Sequence, residues 1–307
     1  MNKKIDESKD QYYENKDIID AELAEIEADL QEMEDRLEDL EVRIRNTLNS
    51  LIAKPSVSSV HSCENKISHA ISKQKLEIEL PTVVNCQDSY TKRDVLSIIA
   101  RLFDRLGFIG PILTKAKPLL QKLWVLKLEW DEPLKNPIAK EWNDFVSTLP
   151  VIQNIHISRL VLKNGRIILH GFSDSSTAAY GAVLYVQSIS EVDVSSRLLC
   201  SKSHVAPVKL ITIPRLKLWA CVLLAQLLEK VLHSLTLPMQ QTMLWAGSNI
   251  VLAWIQRSPE QLKTFIGNRI KIIQRLTKNC QWNRVSSNDN PADLISRGLN
   301  ASDISSK

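Results

Sequence analysis

Residues 167–186 read Ile167-Ile-Leu-His-Gly-Phe-Ser-Asp174-Ser-Ser-Thr-Ala-Ala-Tyr-Gly-Ala-Val-Leu-Tyr-Val186. The apolar run Ile167-Ile168-Leu169 leads toward Asp174. Three small hydroxyl residues follow, Ser175, Ser176 and Thr177, and then a second apolar run from Gly181 to Val186. This pattern predicts a strand, a tight connection and an antiparallel strand. It places Asp174 near the end of the first strand, where a carboxylate can point into a cleft. Taken alone, a solvated turn aspartate would explain Asp174 equally well, so its meaning depends on what surrounds it.

Downstream, the pattern predicts strands at about 160–174, 179–189 and 196–204. A long helix follows from about Pro214, a residue suited to a first helical turn, to Leu235. Then come a strand at 242–246, helices near 249–257 and 262–278, a strand at 280–286, and a last helix starting near Pro291. Three antiparallel strands followed by alternating helix and strand define an α/β class, a mixed sheet flanked by helices. Upstream, residues 90–150 read as helical. Thr91 or Asp94 caps a helix carrying Val95, Ile98, Ile99, Leu102, Phe103 and Leu106. Gly107 and Gly110-Pro111 interrupt it. A second helix carries Ile112, Ala116, Leu119, Leu120, Leu123 and Trp124. A third, from Pro137 to about Leu149, carries Trp142 and Phe145, whose rings read as helix packing.

The N-terminal 52 residues follow a different rule. Ile19, Leu23, Ile26, Leu30, Met33, Leu37, Leu40 and Ile44 alternate steps of four and three, a heptad seam between charged flanks. So narrow an apolar stripe needs a partner helix, and residues 19–51 are expected to pair with one or with a second copy of the chain. Residues 53–89 are polar and aperiodic and read as a linker. The organisation expected is an acidic coiled coil (1–52), a linker (53–89), a helical region (90–150) and the mixed-sheet domain (160–300).

Charge divides along the same boundary. Residues 1–50 hold seven Lys/Arg and sixteen Asp/Glu, a net of −9, so the remainder carries +13 to reach the overall +4. A body this basic suits a polyanion such as RNA or DNA. The five cysteines are scattered and form no CxxC pair, which points away from a disulfide framework or a zinc site and toward a reducing, intracellular compartment, cytoplasm or nucleus. No run of eighteen apolar residues indicates a membrane span.

Several short stretches, in order, carry a family resemblance. They are Phe172-Ser173-Asp174-Ser175-Ser176, Ala179-Tyr180-Gly181-Ala182-Val183, Ala206-Pro207, Ile213-Pro214-Arg215-Leu216, Val251-Leu252-Ala253-Trp254, Asn290-Pro291-Ala292-Asp293-Leu294 and Ser296-Arg297-Gly298. Across roughly residues 90–300 the chain resembles the ribonuclease H region of BEL/Pao-type retrotransposon polyproteins. The resemblance implies a ribonuclease H-like fold and a helical connection to a polymerase. It also implies hydrolysis of the RNA strand of a hybrid by two divalent ions held on four carboxylates. The region's family name also carries the word peptidase, but Asp174-Ser175-Ser176 lacks the glycine of an aspartic-protease turn. No Tyr-x-Asp-Asp polymerase motif or integrase acid triad is recognisable, which reads as a truncated or rearranged element-derived frame.

The resemblance assigns the four acidic positions one by one. Asp174 is the first and Asp293 the fourth. The second, a glutamate in Ile-Pro-Arg-Leu-Glu-Leu, is Lys217 here, and the third, an aspartate in Trp-Ser-Asp-Ser, is Gly247. Two carboxylates and one ammonium give a formal −1 in place of −4. A unit charge ~4 Å from a divalent ion, at an effective dielectric of ~20, contributes on the order of 8 kcal/mol of repulsion before solvation. Even a quarter of that lowers ion affinity more than about tenfold. Lys217 either occupies part of the ion site or pairs with Asp174. Arg215, Lys263, Arg269, Lys271 and Arg275 are the candidate phosphate contacts. The expectation is an element-derived protein with an impaired nuclease site that binds nucleic acid or another element protein. No cofactor is expected, with magnesium at Asp174 and Asp293 only if the site is active. The alternatives are an active metal-dependent ribonuclease H and a structural coiled-coil oligomer.

Overall fold

The computed structural model describes residues 75–76, 89–102, 104, 106–154, 157–158, 166–191, 193–234 and 240–304. In chain order these hold β1 (Lys75–Leu76), α1 (Lys92–Arg101), α2 (Gly110–Val125), α3 (Ile138–Thr148), β2 (Ile157–Ser158), β3 (Arg166–Ser175), β4 (Ala179–Ile189) and β5 (Val194–Val205). There follow α4 (Ile213–Ser234), β6 (Gln241–Ala246), α5 (Asn249–Ile255), α6 (Thr264–Leu276), β7 (Gln281–Arg284), α7 (Ala292–Arg297) and α8 (Ala301–Ile304). The expected coiled coil lies outside the described residues. The described residues fall within one compact unit. Within the stretch read as linker, β1 pairs antiparallel with β2, a contact between distant short segments that no local periodicity announces.

The main sheet has the order β5-β4-β3-β6-β7. β3, β4 and β5 run antiparallel, and β6 and β7 join parallel to β3. This is the α/β mixed sheet that the sequence implies. Two glycines set how its helices seat. A side chain at Gly171 would meet Leu224 of α4, and one at Gly181 would meet Ile295 of α7. Gly181 lies opposite Asp174, three residues along β3 from Gly171, so strand alternation puts the two glycines on opposite faces. α4 and α7 therefore clamp the sheet from its two sides. α4 earns its central place by composition: it is apolar on most of its circumference and buries Leu218, Ala220, Cys221, Leu223, Leu224, Ala225, Leu227 and Leu228. A second cluster ties it to α5, α6 and β6 through Val251, Ile255, Ile270 and Ile273.

The helical region has its own core and also covers the sheet edge. Thr91 and Asp94 close a reciprocal capping box at the start of α1. Trp142, Phe145, Ile112, Leu119 and Leu123 are buried together among α1, α2 and α3. Asp104 accepts from the backbone N–H groups of Phe108 and Ile109 ahead of α2, and burial pushes its carboxyl up to about 6. Where β5 is the outer strand, Ser201 N donates to Leu106 O at 2.8 Å, Thr114 Oγ1 donates to Ser203 Oγ at 2.7 Å, and Gln121 Nε2 donates to Ala206 O at 3.0 Å. An edge strand so covered offers fewer unpaired groups to other chains.

Gly107 is fixed by this docking. It has φ +77°, and a Cβ there would stand 2.1 Å from Ser201 O. Gly107→Ala is therefore expected to destabilise the fold by about 2–4 kcal/mol. Chemical denaturation measures this, and an unchanged unfolding midpoint would contradict the docking described here.

Candidate nucleic-acid and nuclease-type site

Asp174 is the penultimate residue of β3, and its neighbourhood follows from the pairing of β3 with β6. Ser173 is in parallel register with Ala246, so Gly247, the next residue after β6, comes beside Asp174. α4 begins with Leu216 N donating to Thr212 O, and Lys217, the fifth residue of the helix, reaches the same strand ends. Lys217 Nζ stands 3.0 Å from Asp174 Oδ1. A Cβ built on Gly247 would lie 3.4 Å from that Nζ and 3.8 Å from that Oδ1. Three of the four positions singled out in the sequence thus meet directly.

The pair is unequal in exposure. The Lys217 side chain is 20% exposed and that of Asp174 4%. Asp174 Oδ1 has no directed hydrogen bond, so the ammonium meets it as a charge contact rather than along a hydrogen-bond axis. The ammonium thus supplies a counter-charge to a carboxylate withdrawn from water.

Asp293 enters through α7. Asn290 is buried and joins this segment to β3: its Nδ2 donates to Ser173 O at 3.1 Å, and its Oδ1 accepts from Ala292 N at 3.1 Å. Ser176 Oγ donates to Ser296 O at 2.6 Å, a second tie between the β3–β4 connection and α7. Asp293 Oδ1 accepts from Arg297 Nε at 2.7 Å. The Asp293 hydrogen bond and charge, and then the Asp174 charge, raise the pKa of Arg297 above its usual value. The residues that sequence reasoning left without a role are therefore Asn290 and Arg297. The four-residue spacing from Asp293 to Arg297, a pairing distance on a helix, was the available signal for the second.

No trio of His, Cys, Asp or Glu side chains is gathered to hold a metal among the described residues. Cys221 is buried beside Ser173, and burial pushes its thiol up to about 12.

The five candidate phosphate contacts divide. Arg215, Lys263, Lys271 and Arg275 are exposed. Arg269 is only 6% exposed, which corrects its reading as a surface contact. Its guanidinium lies 3.7 Å from the Phe265 ring centroid and 5.4 Å from that of Trp219, and its Nη1 donates to Phe265 O at 2.9 Å. Burial, and then the Arg215 charge, lower its pKa, against a raising effect of Tyr180, to about 10. Such a cation held on aromatic faces packs α6 against α4. Arg215 shares the same ring at 4.9 Å but faces solvent.

A mixed sheet of three antiparallel and two parallel strands, with one acidic residue near the end of β3 and another in α7, defines a ribonuclease H-like domain. The family model described as Pao retrotransposon-like RNaseH-like domain matches residues 91–248, half of the chain, and the chain belongs to this family. The matched stretch includes Asp174, Lys217 and Gly247 and ends before Asp293. No curated protein matches the chain. Among solved structures, it is similar to the N-terminal RNase H domain of a Mycobacterium tuberculosis protein, solved as a fusion with maltose binding protein. That match has 10% identity over 47% of this chain and 97% of the other, with a TM-score of 0.31. An RNase H1 in complex with an RNA/DNA hybrid matches at 15% identity over 42% and 93%, TM-score 0.29. A foamy viral protease–reverse transcriptase in complex with double-stranded DNA matches at 12% identity over 71% of this chain and 36% of its own length, TM-score 0.28. No described helix is long and apolar enough to cross a membrane.

The Asp174–Lys217 contact generates its own test. Lys217→Met leaves a buried carboxylate without its cation and is expected to destabilise the chain by about 2–3 kcal/mol. Asp174→Asn combined with Lys217→Met should recover most of that loss. Urea unfolding of the three proteins decides it, and additive losses in the double variant would speak against the pairing.

Proposed function

We propose that this chain is a retrotransposon-derived ribonuclease H-like protein that binds nucleic acid and has lost hybrid cleavage. The observation that carries the reading is Lys217 Nζ at 3.0 Å from Asp174 Oδ1. Two-ion hydrolysis needs hard oxygen ligands converging on a pair of cations. Here the second acidic position supplies an ammonium, the third supplies no side chain, and Asp293 is bonded to Arg297. This donor set does not fit two divalent ions, so no hydrolytic step is assigned to the site.

Nucleic-acid binding has separate support. The body of the chain carries a net positive charge, and Arg215, Lys263, Lys271 and Arg275 are exposed on α4, α6 and the turn before α6. Phosphate contacts of this kind give salt-dependent affinity without requiring catalysis.

The test is cleavage of a labelled RNA–DNA hybrid by the purified chain in magnesium or manganese. The expected result is no cleavage beyond that of Asp174→Asn. Lys217→Glu with Gly247→Asp, a position where an added Cβ makes only ordinary contacts, should restore measurable cleavage. Robust wild-type cleavage that Asp174→Asn abolishes would overturn the proposal.

A further inference from the structure

The charges at the β3, α4 and α7 ends balance without any ion. Four carboxylates with two divalent cations, the arrangement that the sequence resemblance implies, sum to zero. Asp174 and Asp293 with Lys217 and Arg297 also sum to zero, now within the chain itself. The two cations stand where they can meet a polyanion. Lys217 keeps a fifth of its side chain exposed and directs one contact to Asp174, leaving further N–H donors on the same nitrogen. Arg297 is 68% exposed and bonds Asp293 through Nε, which leaves the outward pair of guanidinium nitrogens in the fork geometry that suits a phosphate. Asp174 links them: it touches Lys217, and its field reaches Arg297. Gly247 brings no side chain beside Lys217, where a Cβ would stand 3.4 Å from its Nζ.

We infer that Lys217 and Arg297 have taken over the electrostatic role of the divalent ions, so that this centre engages the phosphodiester backbone of a nucleic acid directly and without metal. The inference rests on the nucleic-acid-binding reading above and adds the atoms and the metal independence. It separates two functions that a metal-dependent centre combines. Ions both neutralise the backbone and activate water. Fixed ammonium and guanidinium groups neutralise the backbone but carry no water as ligand.

The experiment is fluorescence anisotropy of the full chain with a labelled RNA–DNA hybrid, across a salt series, in EDTA and in millimolar magnesium. Affinity is expected to agree within about twofold between the two conditions. Lys217→Gln and Arg297→Gln should each weaken binding roughly threefold to tenfold and reduce the slope of log affinity against log salt by about one. Lys217→Arg should keep the wild-type slope. Asp174→Asn, which removes a negative charge and frees Lys217, should tighten binding. Because Arg297 is exposed, its variant informs even if Lys217→Gln fails to fold. Binding that needs magnesium, or a salt slope unmoved by Arg297→Gln and by whichever Lys217 variant folds, would refute the metal-free contact while leaving nucleic-acid binding intact. No hybrid binding by the wild-type chain under either condition would remove the nucleic-acid reading itself.

Discussion

A carboxylate at the end of β3 is held 3.0 Å from an ammonium at the start of α4, and both groups are largely withdrawn from water. Each alone would be an expensive group to bury, and together they tolerate the site. The contact joins the central strand of the sheet to its longest buried helix. It also sets a protein cation directly against Asp174, the acidic residue near the end of the central strand. Gly247 contributes by omission. It brings no charge, and it leaves the ammonium the space beside Asp174.

The frame around this pair depends on close approach. α4 seats on one face because Gly171 has no side chain, and α7 seats on the other because Gly181 has none. Asn290 then fixes the start of α7 to β3 through Ser173 O. The helical region contributes from the outside. It satisfies groups along β5 and packs its own aromatic core beneath α1, α2 and α3. The result is a centre placed on rigid elements, with Asp174, Lys217 and Asp293 each on a strand or helix rather than a loop.

Much of this was legible in the residues. β4 spans the expected 179–189, because its apolar run lies between small-residue turns. α4 runs over 213–234 against an expected 214–235, its start marked by Pro214. Thr91 caps α1 with Asp94 as its reciprocal partner, as the spacing of the two residues allows. Other features depend on partners far away in the chain. β1 and β2 are two residues each and exist only as a pair. Arg269 reads as a surface charge on an amphipathic helix, yet the meeting of Phe265 and Trp219 draws it inward, because a guanidinium can lie flat on aromatic rings.

The sequence by itself determined the α/β order of elements, the heptad seam of residues 19–51, and the chemical identity of the four centre positions: carboxylate, ammonium, hydrogen and carboxylate. Those are properties of local pattern and residue type. It left open whether the Lys217 ammonium would occupy part of the ion site or pair with Asp174, and it gave Arg297 no role. Only the tertiary structure decided these, because the distance between residues 43 positions apart is set by how β3, β6 and α4 converge, and that convergence is a product of packing rather than of any segment's own preference.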